Sequence, residues 1–287
     1  MPHTPQLTPA QRPTIALAVW TATACWAIVT PAWAQEPSAP PLWEIGALAL
    51  GVSQQSYPGS DQNLARVVAL PTFVYRGQVL RADRGSLGIR ALKTPTLELD
   101  VGVSGAFGSS SAASSARQGM PNLGTLIELG PRLKWQLGSA PGGGRWRAEF
   151  PVRAVFDLSD GAAHRGWSFE PELAYERQAQ GGWRYATSLG LIVADQALAA
   201  TFYQVTPEQA TATRPAYQAS SGLLGWRLGT TFSRSLNPDW RVFGFARIDS
   251  VSGSANQNSP LVRQNTGASV GLGVAYTWMR SSERAAD

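Results

Sequence analysis

The sequence predicts an all-β protein: a transmembrane antiparallel up-and-down β-barrel of about twelve strands behind an N-terminal signal peptide. Three observations carry this. The stretch Ser269 to Trp278 places Val270, Leu272, Val274, Tyr276 and Trp278 on one face and Gly271, Gly273 and Ala275 on the other, an alternation suited to a wall with lipid outside and a filled interior. The composition is rich in Gly (29) and Trp (11) but only 15% charged, low for a water-soluble chain of 287 residues. Long and short connections also alternate along the chain.

The N-terminus comes first. No charge lies between Arg12 and Glu36, and Ala32-Trp33-Ala34 is a small-x-small site, so residues 1–34 are expected to be a secretory signal peptide. Cys25 falls inside that segment with Ala22, not Leu, three positions before it, which argues against a lipoprotein signal. The remainder has no cysteine and hence no disulfide or thiol chemistry. A short Pro-rich periplasmic segment is expected at 35–41, the barrel at 42–279 and a polar C-terminal tail at 280–287.

No apolar run after the leader is long enough for a membrane helix, and the mean hydropathy is −0.13. A barrel wall gives the same average, because lipid-facing and lumen-facing residues alternate. A net charge of +5 is too modest to name a partner. Nothing in it points to nucleic acid.

Period-two alternation gives strands at 42–52, 65–76, 78–83, 86–92, 96–107, 123–138, 145–158, 167–178, 183–194, 220–233, 240–252 and 267–279. Leu97, Leu99, Val101 and Val103 oppose Glu98, Asp100 and Ser104. In the seventh strand Trp146, Ala148, Phe150, Val152, Ala154 and Phe156 oppose Arg145, Arg147, Glu149, Arg153 and Asp157. An even count puts both ends on the periplasmic side. The long connections 108–122, 195–219 and 253–266 then face outward, and tight turns such as Leu236-Asn237-Pro238-Asp239 face the periplasm. The third and fourth strands, about six residues each, are shorter than a bilayer crossing, so ten full strands plus an irregular hairpin is the alternative. Trp43, Trp135, Trp146, Trp183, Trp240 and Trp278 all fall at predicted periplasmic strand ends, forming an aromatic girdle against outer-membrane lipid.

Little of the chain suggests catalysis. His164, the one histidine after the leader, has Asp157, Ser159, Asp160 and Ser168 nearby in sequence, but small polar residues populate any exposed turn. No calcium loop, phosphate loop or cofactor motif is present, so no cofactor, metal or catalytic residue is expected. The inward charges Arg132, Lys134, Arg145, Arg147 and Arg153, facing Glu170, Glu172 and Glu176, have two readings: a charge-lined aqueous pore, or a cross-strand ion-pair network filling a narrow interior.

A set of short motifs spans nearly the whole chain after the leader. These are Tyr57-Pro58-Gly59-Ser60-Asp61, Leu70-Pro71, Tyr75-Arg76-Gly77, Gly130-Pro131-Arg132-Leu133, Ala194-Asp195, Arg214-Pro215-Ala216-Tyr217 and Ser259-Pro260-Leu261-Val262. In order and spacing they resemble the MipA/OmpV family of outer-membrane proteins. The resemblance implies a barrel that scaffolds a periplasmic lytic transglycosylase and a murein synthase, or elsewhere in the family a porin or adhesin. The expected function is accordingly a non-catalytic scaffold for murein enzymes, with a passive porin-like channel for small polar solutes as the alternative. For the scaffold, the docking surface would be the 138–144 turn, the 35–41 segment and the C-terminal tail.

Overall fold

Alternation of apolar and inward-facing residues across consecutive hairpins leaves one way to satisfy every backbone group in hydrocarbon, a sheet closed on itself. The computed structural model describes residues 39–83, 86–106 and 114–285. The expected signal peptide lies outside them. The strands are β1 (Trp43–Gln55), β2 (Asn63–Arg76), β3 (Leu80–Asp83), β4 (Ser86–Lys93), β5 (Leu97–Ala106), β6 (Leu126–Ala140), β7 (Gly144–Asp157), β8 (Ala163–Phe169), β9 (Glu172–Gln178), β10 (Arg184–Ala194), β11 (Gly222–Ser235), β12 (Trp240–Ser250) and β13 (Thr266–Arg280). Each pairs antiparallel with its neighbours, and β1 pairs with β13 over Glu44 to Ser53 to close the ring.

Thirteen strands occupy twelve places. β8 and β9 both lie between β7 and β10, because the expected eighth strand breaks at Glu170-Pro171, where proline cannot donate to a ladder. That strand begins at Ala163, earlier than its apolar pattern suggested. β3 has four residues and β4 eight, so the third and fourth places are filled by a short hairpin.

Register fixes the two faces. Ala49 pairs with Val274 and Gly51 with Leu272 on the outside, while Leu50 and Val52 pair with Gly273 and Gly271 on the inside. The room left by those glycines is taken by β12: a β-carbon on Gly271 would stand 2.4 Å from the Phe245 ring, and one on Gly273 2.6 Å from the Phe243 ring. Outward-facing Leu272, Val270 and Leu189 are each more than half exposed, which in water would be costly and in lipid is not.

The expected long loop at 195–219 contains the one α-helix of the described residues, α1 (Gln196–Tyr203). Its first turn is capped by Asp195, whose carboxylate accepts from the Leu198 N–H at 2.9 Å. The helix turns Leu198, Ala199 and Tyr203 inward against Leu126, Val155, Ala194 and Leu224. At the opposite rim, short turns predominate. Ala179 donates to Trp183 O across one, and Asn237 accepts from the Asp239 and Trp240 N–H groups in another.

Candidate functional site

Inside the wall, the lumenal charges assemble into one alternating chain across five strands. Glu98 on β5 lies between Arg90 on β4 (3.3 Å) and Lys134 on β6 (2.8 Å). Lys134 also reaches Asp100 (2.7 Å), which accepts from the Arg132 Nε and Nη2 at 3.0 and 2.8 Å. Arg132 lies 3.5 Å from Glu149, which pairs with Arg147 at 3.1 Å, and Arg147 reaches Glu176 on β9 at 2.7 Å. Four cations and four carboxylates alternate, so the row carries no net charge. Arg145 faces Glu176 in register, and Glu172 faces Glu149 and Gly190.

Two smaller groups lie toward the long-loop rim. Arg153 bridges Glu128 (2.8 Å) and the Ser104 hydroxyl (2.9 Å). Arg227 joins Glu170 (3.6 Å) to Asp249 (2.7 Å), and Asp249 also holds Arg247 (2.7 Å). Sequence reading overlooked Arg227, Arg247 and Asp249, although all three sit at inward phase on strands it had placed. The geometry is that of a cross-strand network: Arg132, Lys134, Arg147 and Arg153 each already have a carboxylate partner.

The motif residues far apart in sequence converge at the long-loop rim. The Tyr57 hydroxyl donates to Leu261 O (2.8 Å), the Tyr203 hydroxyl to Pro58 O (3.2 Å), and the Ser259 hydroxyl to Tyr203 O (2.7 Å). Gly59 accepts from the Arg263 N–H at 2.7 Å and adopts φ +91°, a conformation that favours glycine, and a β-carbon there would stand 3.3 Å from Val262. Ser60 O accepts from Gln55 and Gln264. Arg214 spreads its guanidinium over the carbonyls of Ala116, Gln118 and Gln209, and the Tyr217 hydroxyl meets the Asn256 side-chain oxygen at 3.5 Å. Beneath lie Tyr57, Met120, Leu123, Val205 and Leu261. Pro58, Asp61, Pro215 and Pro260 set bends in the same segments.

These motifs therefore build a cap of interlocked outer loops. Burial pushes the Tyr57 phenol above its ordinary range, with the nearby Arg117 cation opposing, and burial likewise raises Tyr203. Arg117 is held down by burial and by repulsion from Arg214, while it donates to Phe202 O and Pro121 O. No sequence pattern had marked Arg117, because its role depends on contacts more than eighty positions away. Replacing Tyr57 by Phe should strand the buried Leu261 carbonyl and weaken the cap by about 1–2 kcal/mol. Faster protease nicking of the outer loops in intact cells, at unchanged barrel stability, is the expected readout.

His164 stands outside this cap chemistry. Its ring packs on Phe156 (5.4 Å) and Trp167 (5.8 Å), while Asp157 accepts from the Ser159 N–H and from Arg165. Arg165 also holds Asp160, on the border of an open cleft of about 520 Å³ that Arg66, Asn122 and Thr125 help line. Ser159 accepts from the Thr125 N–H through its hydroxyl, so of the residues near His164 in sequence Asp157, Ser159 and Asp160 are separately engaged, while the buried Ser168 hydroxyl has no partner among the described residues.

At the short-turn rim the aromatic residues form a band. Trp146 meets Tyr175 at 5.4 Å, Trp183 meets Phe232 at 6.0 Å, and Trp240 meets Tyr276, itself beside Trp278, at 4.8 Å. Trp43 pairs in register with Tyr75, and Trp135 is half exposed. The segments flanking the barrel meet here too. Leu42 donates to Glu283 O (2.9 Å), Ser281 to Trp43 O (3.0 Å) and Ala285 to Pro40 O (2.8 Å), with Pro41 and Arg284 bridged antiparallel. Residues 281–285 are therefore not a free tail but the continuation of the β1–β13 ladder.

Residues 46–278 match the profile of a family described as MltA-interacting protein MipA. No curated protein matches the chain. Among solved structures, it is similar to a NanC porin (12% identity, 83% of this chain and 100% of that one, TM-score 0.36). It is also similar to a bacterial polysaccharide outer membrane secretin (8%, 82% and 99%, 0.39) and to the COG4313 outer membrane channel from Pseudomonas putida F1 (13%, 85% and 98%, 0.33). A closed barrel with an apolar exterior and an aromatic rim, in a chain matched by that family, belongs in the bacterial outer membrane.

Proposed function

The chain belongs to the MipA family, that of MltA-interacting protein, and from that premise we propose that it is a non-catalytic scaffold on which a periplasmic lytic transglycosylase docks, with a murein synthase as a further client. The observation that carries this reading is the joined element at the periplasmic rim. Residues 39–42 and 281–285 form a two-stranded extension of the β1–β13 seam, braced by Arg76, which donates to Pro41 O at 2.8 Å and pairs with Glu44 at 2.9 Å.

Every other periplasmic connection is a tight turn, too small to hold an enzyme alone. An ordered extension pre-pays the entropy that a free tail would lose on binding. The neutral lumenal network fits the same reading, since paired charges contribute rigidity to a platform. The test is capture of a purified lytic transglycosylase by the full chain and by a version ending at Arg280. Removing Ser281 to Asp287 should weaken capture about tenfold or more, near 1.4 kcal/mol, with the barrel still showing its heat-dependent gel shift. Equal capture by both would overturn the assignment of this element.

A further inference from the structure

The short-turn rim carries an excess of positive charge between β7 and β12. Arg145, Arg177, Arg184 and Arg234 stand at strand ends there, while the two carboxylates of this arc, Glu176 and Asp239, are held by Arg147 (2.7 Å) and Arg280. Among the described residues none of the four arginines has a carboxylate partner. Register divides them between two faces. Leu272, on the outside of the wall, pairs with Gly244, Gly244 with Phe232, Phe232 with Tyr185 and Tyr185 with Arg177, so Arg177 faces lipid. Arg234, two positions from Phe232, shares that face. Arg145, opposite Glu176, and Arg184, opposite Gln178 and Ser233, take the inward phase.

The two outward arginines are set against the aromatic band. The Arg234 guanidinium carbon lies 5.6 Å from the centre of the Trp183 ring, which stacks on Tyr185 at 6.0 Å. Arg177 lies along the 141–143 turn: a β-carbon on Gly142 would stand 3.5 Å from its Nη1 and 3.6 Å from the Tyr175 hydroxyl, which itself donates to Pro141 O at 2.8 Å. Arg177, Tyr185, Trp183 and Arg234 thus form one strip on the lipid face. Its two cations start two strands apart, about 10 Å, a distance that two arginine side chains can close onto one group between them.

We infer that this strip is a headgroup site for an anionic glycerophospholipid of the periplasmic leaflet, with Arg177 and Arg234 on its phosphate and Tyr185, Trp183 and Phe232 against its glycerol and first methylenes. An aromatic band marks the depth of the lipid headgroups, so phosphate is the group these guanidinium forks meet, and a fork matches two phosphate oxygens at once. No carboxylate competes for either arginine, so the strip keeps its charge and favours a lipid of net negative charge over a zwitterionic one. A cell-wall polymer in the periplasm would instead be met by Arg145 and Arg184, which do not face lipid.

Native mass spectrometry of the full chain in detergent, titrated with phosphatidylglycerol or phosphatidylcholine, tests this. The first phosphatidylglycerol should bind about fivefold or more tighter than the first phosphatidylcholine. Changing Arg177→Gln and Arg234→Gln together should lower phosphatidylglycerol affinity about tenfold or more, with the heat-dependent gel shift retained. Arg145→Gln with Arg184→Gln removes the same charge from the inward phase and should change it little. Equal losses from the two pairs would mean diffuse attraction and overturn the site. So would an unchanged affinity in the outward pair, including the case where that pair instead loses co-sedimentation with murein sacculi. Should the double change not fold, Arg234→Lys, which keeps the charge but not the fork, should still cost about threefold, and no loss there overturns the site equally.

Discussion

Asp100→Ala should lower barrel stability by about 3–5 kcal/mol, the cost of removing one partner from a buried ion pair. Asp100 is 7% exposed and takes two bonds from Arg132 and one ion pair from Lys134. Its loss leaves Arg132 with the longer Glu149 contact at 3.5 Å and Lys134 with Glu98 alone. Two cations that lay 2.7 and 2.8 Å from the removed carboxylate would then face each other without a screen. Urea unfolding followed by the heat-dependent gel shift measures the effect. The Asp100→Ala, Arg132→Ala pair should cost clearly less than the two single changes added, because both remove one interaction. A loss under about 1 kcal/mol for the single change would mean that lumenal water screens the row as at a surface, which would favour the channel reading over the braced scaffold.

Gly46→Val should be comparably damaging, since it acts where the ring closes. A β-carbon at this position would stand 2.2 Å from the Tyr276 carbonyl oxygen and 3.0 Å from the Thr72 hydroxyl, backbone on one side and strand on the other. The β1–β13 register already shifts between Ile45 and Gly46 to bring the strands that close. Forcing them apart opens the seam, so the expected result is failure to acquire the folded, heat-modifiable form, a loss of about 3 kcal/mol or more. Gly51 is the control on the same strand. Its nearest neighbour for a β-carbon is Leu272 O at 3.9 Å, ordinary contact, so Gly51→Ala should be almost silent. Matching phenotypes for the two would show that the seam tolerates displacement and that closure is not the limiting step.

Much of this was legible locally. Strand phase is a property of adjacent residues, so Trp146 to Phe156 against Arg145 to Asp157 declared an outside and an inside before any partner strand was known. The same phase is what led the sequence to be read as carrying girdle tryptophans and inward charges. Asp195 followed by an Ala-rich stretch was a readable helix start that the loop assignment passed over. Pro171 likewise was a readable break in the eighth strand, overridden by the alternation around it.

What alternation and turn chemistry determined alone was the class of fold, the count of hairpins and which face of each strand meets lipid. Partnership was decided only by closure. Whether Arg132 lines a pore or pairs with Asp100 depends on the register between β5 and β6, and whether the last residues dangle or extend the seam depends on β13 returning beside β1. The same holds for Tyr57, Arg214 and Ser259, which become one cap only when loops 56 to 204 positions apart meet over the mouth. A side chain's direction is set by its own backbone, but the group it meets is set by a strand or loop that arrives from elsewhere in the chain, and no local pattern encodes that arrival.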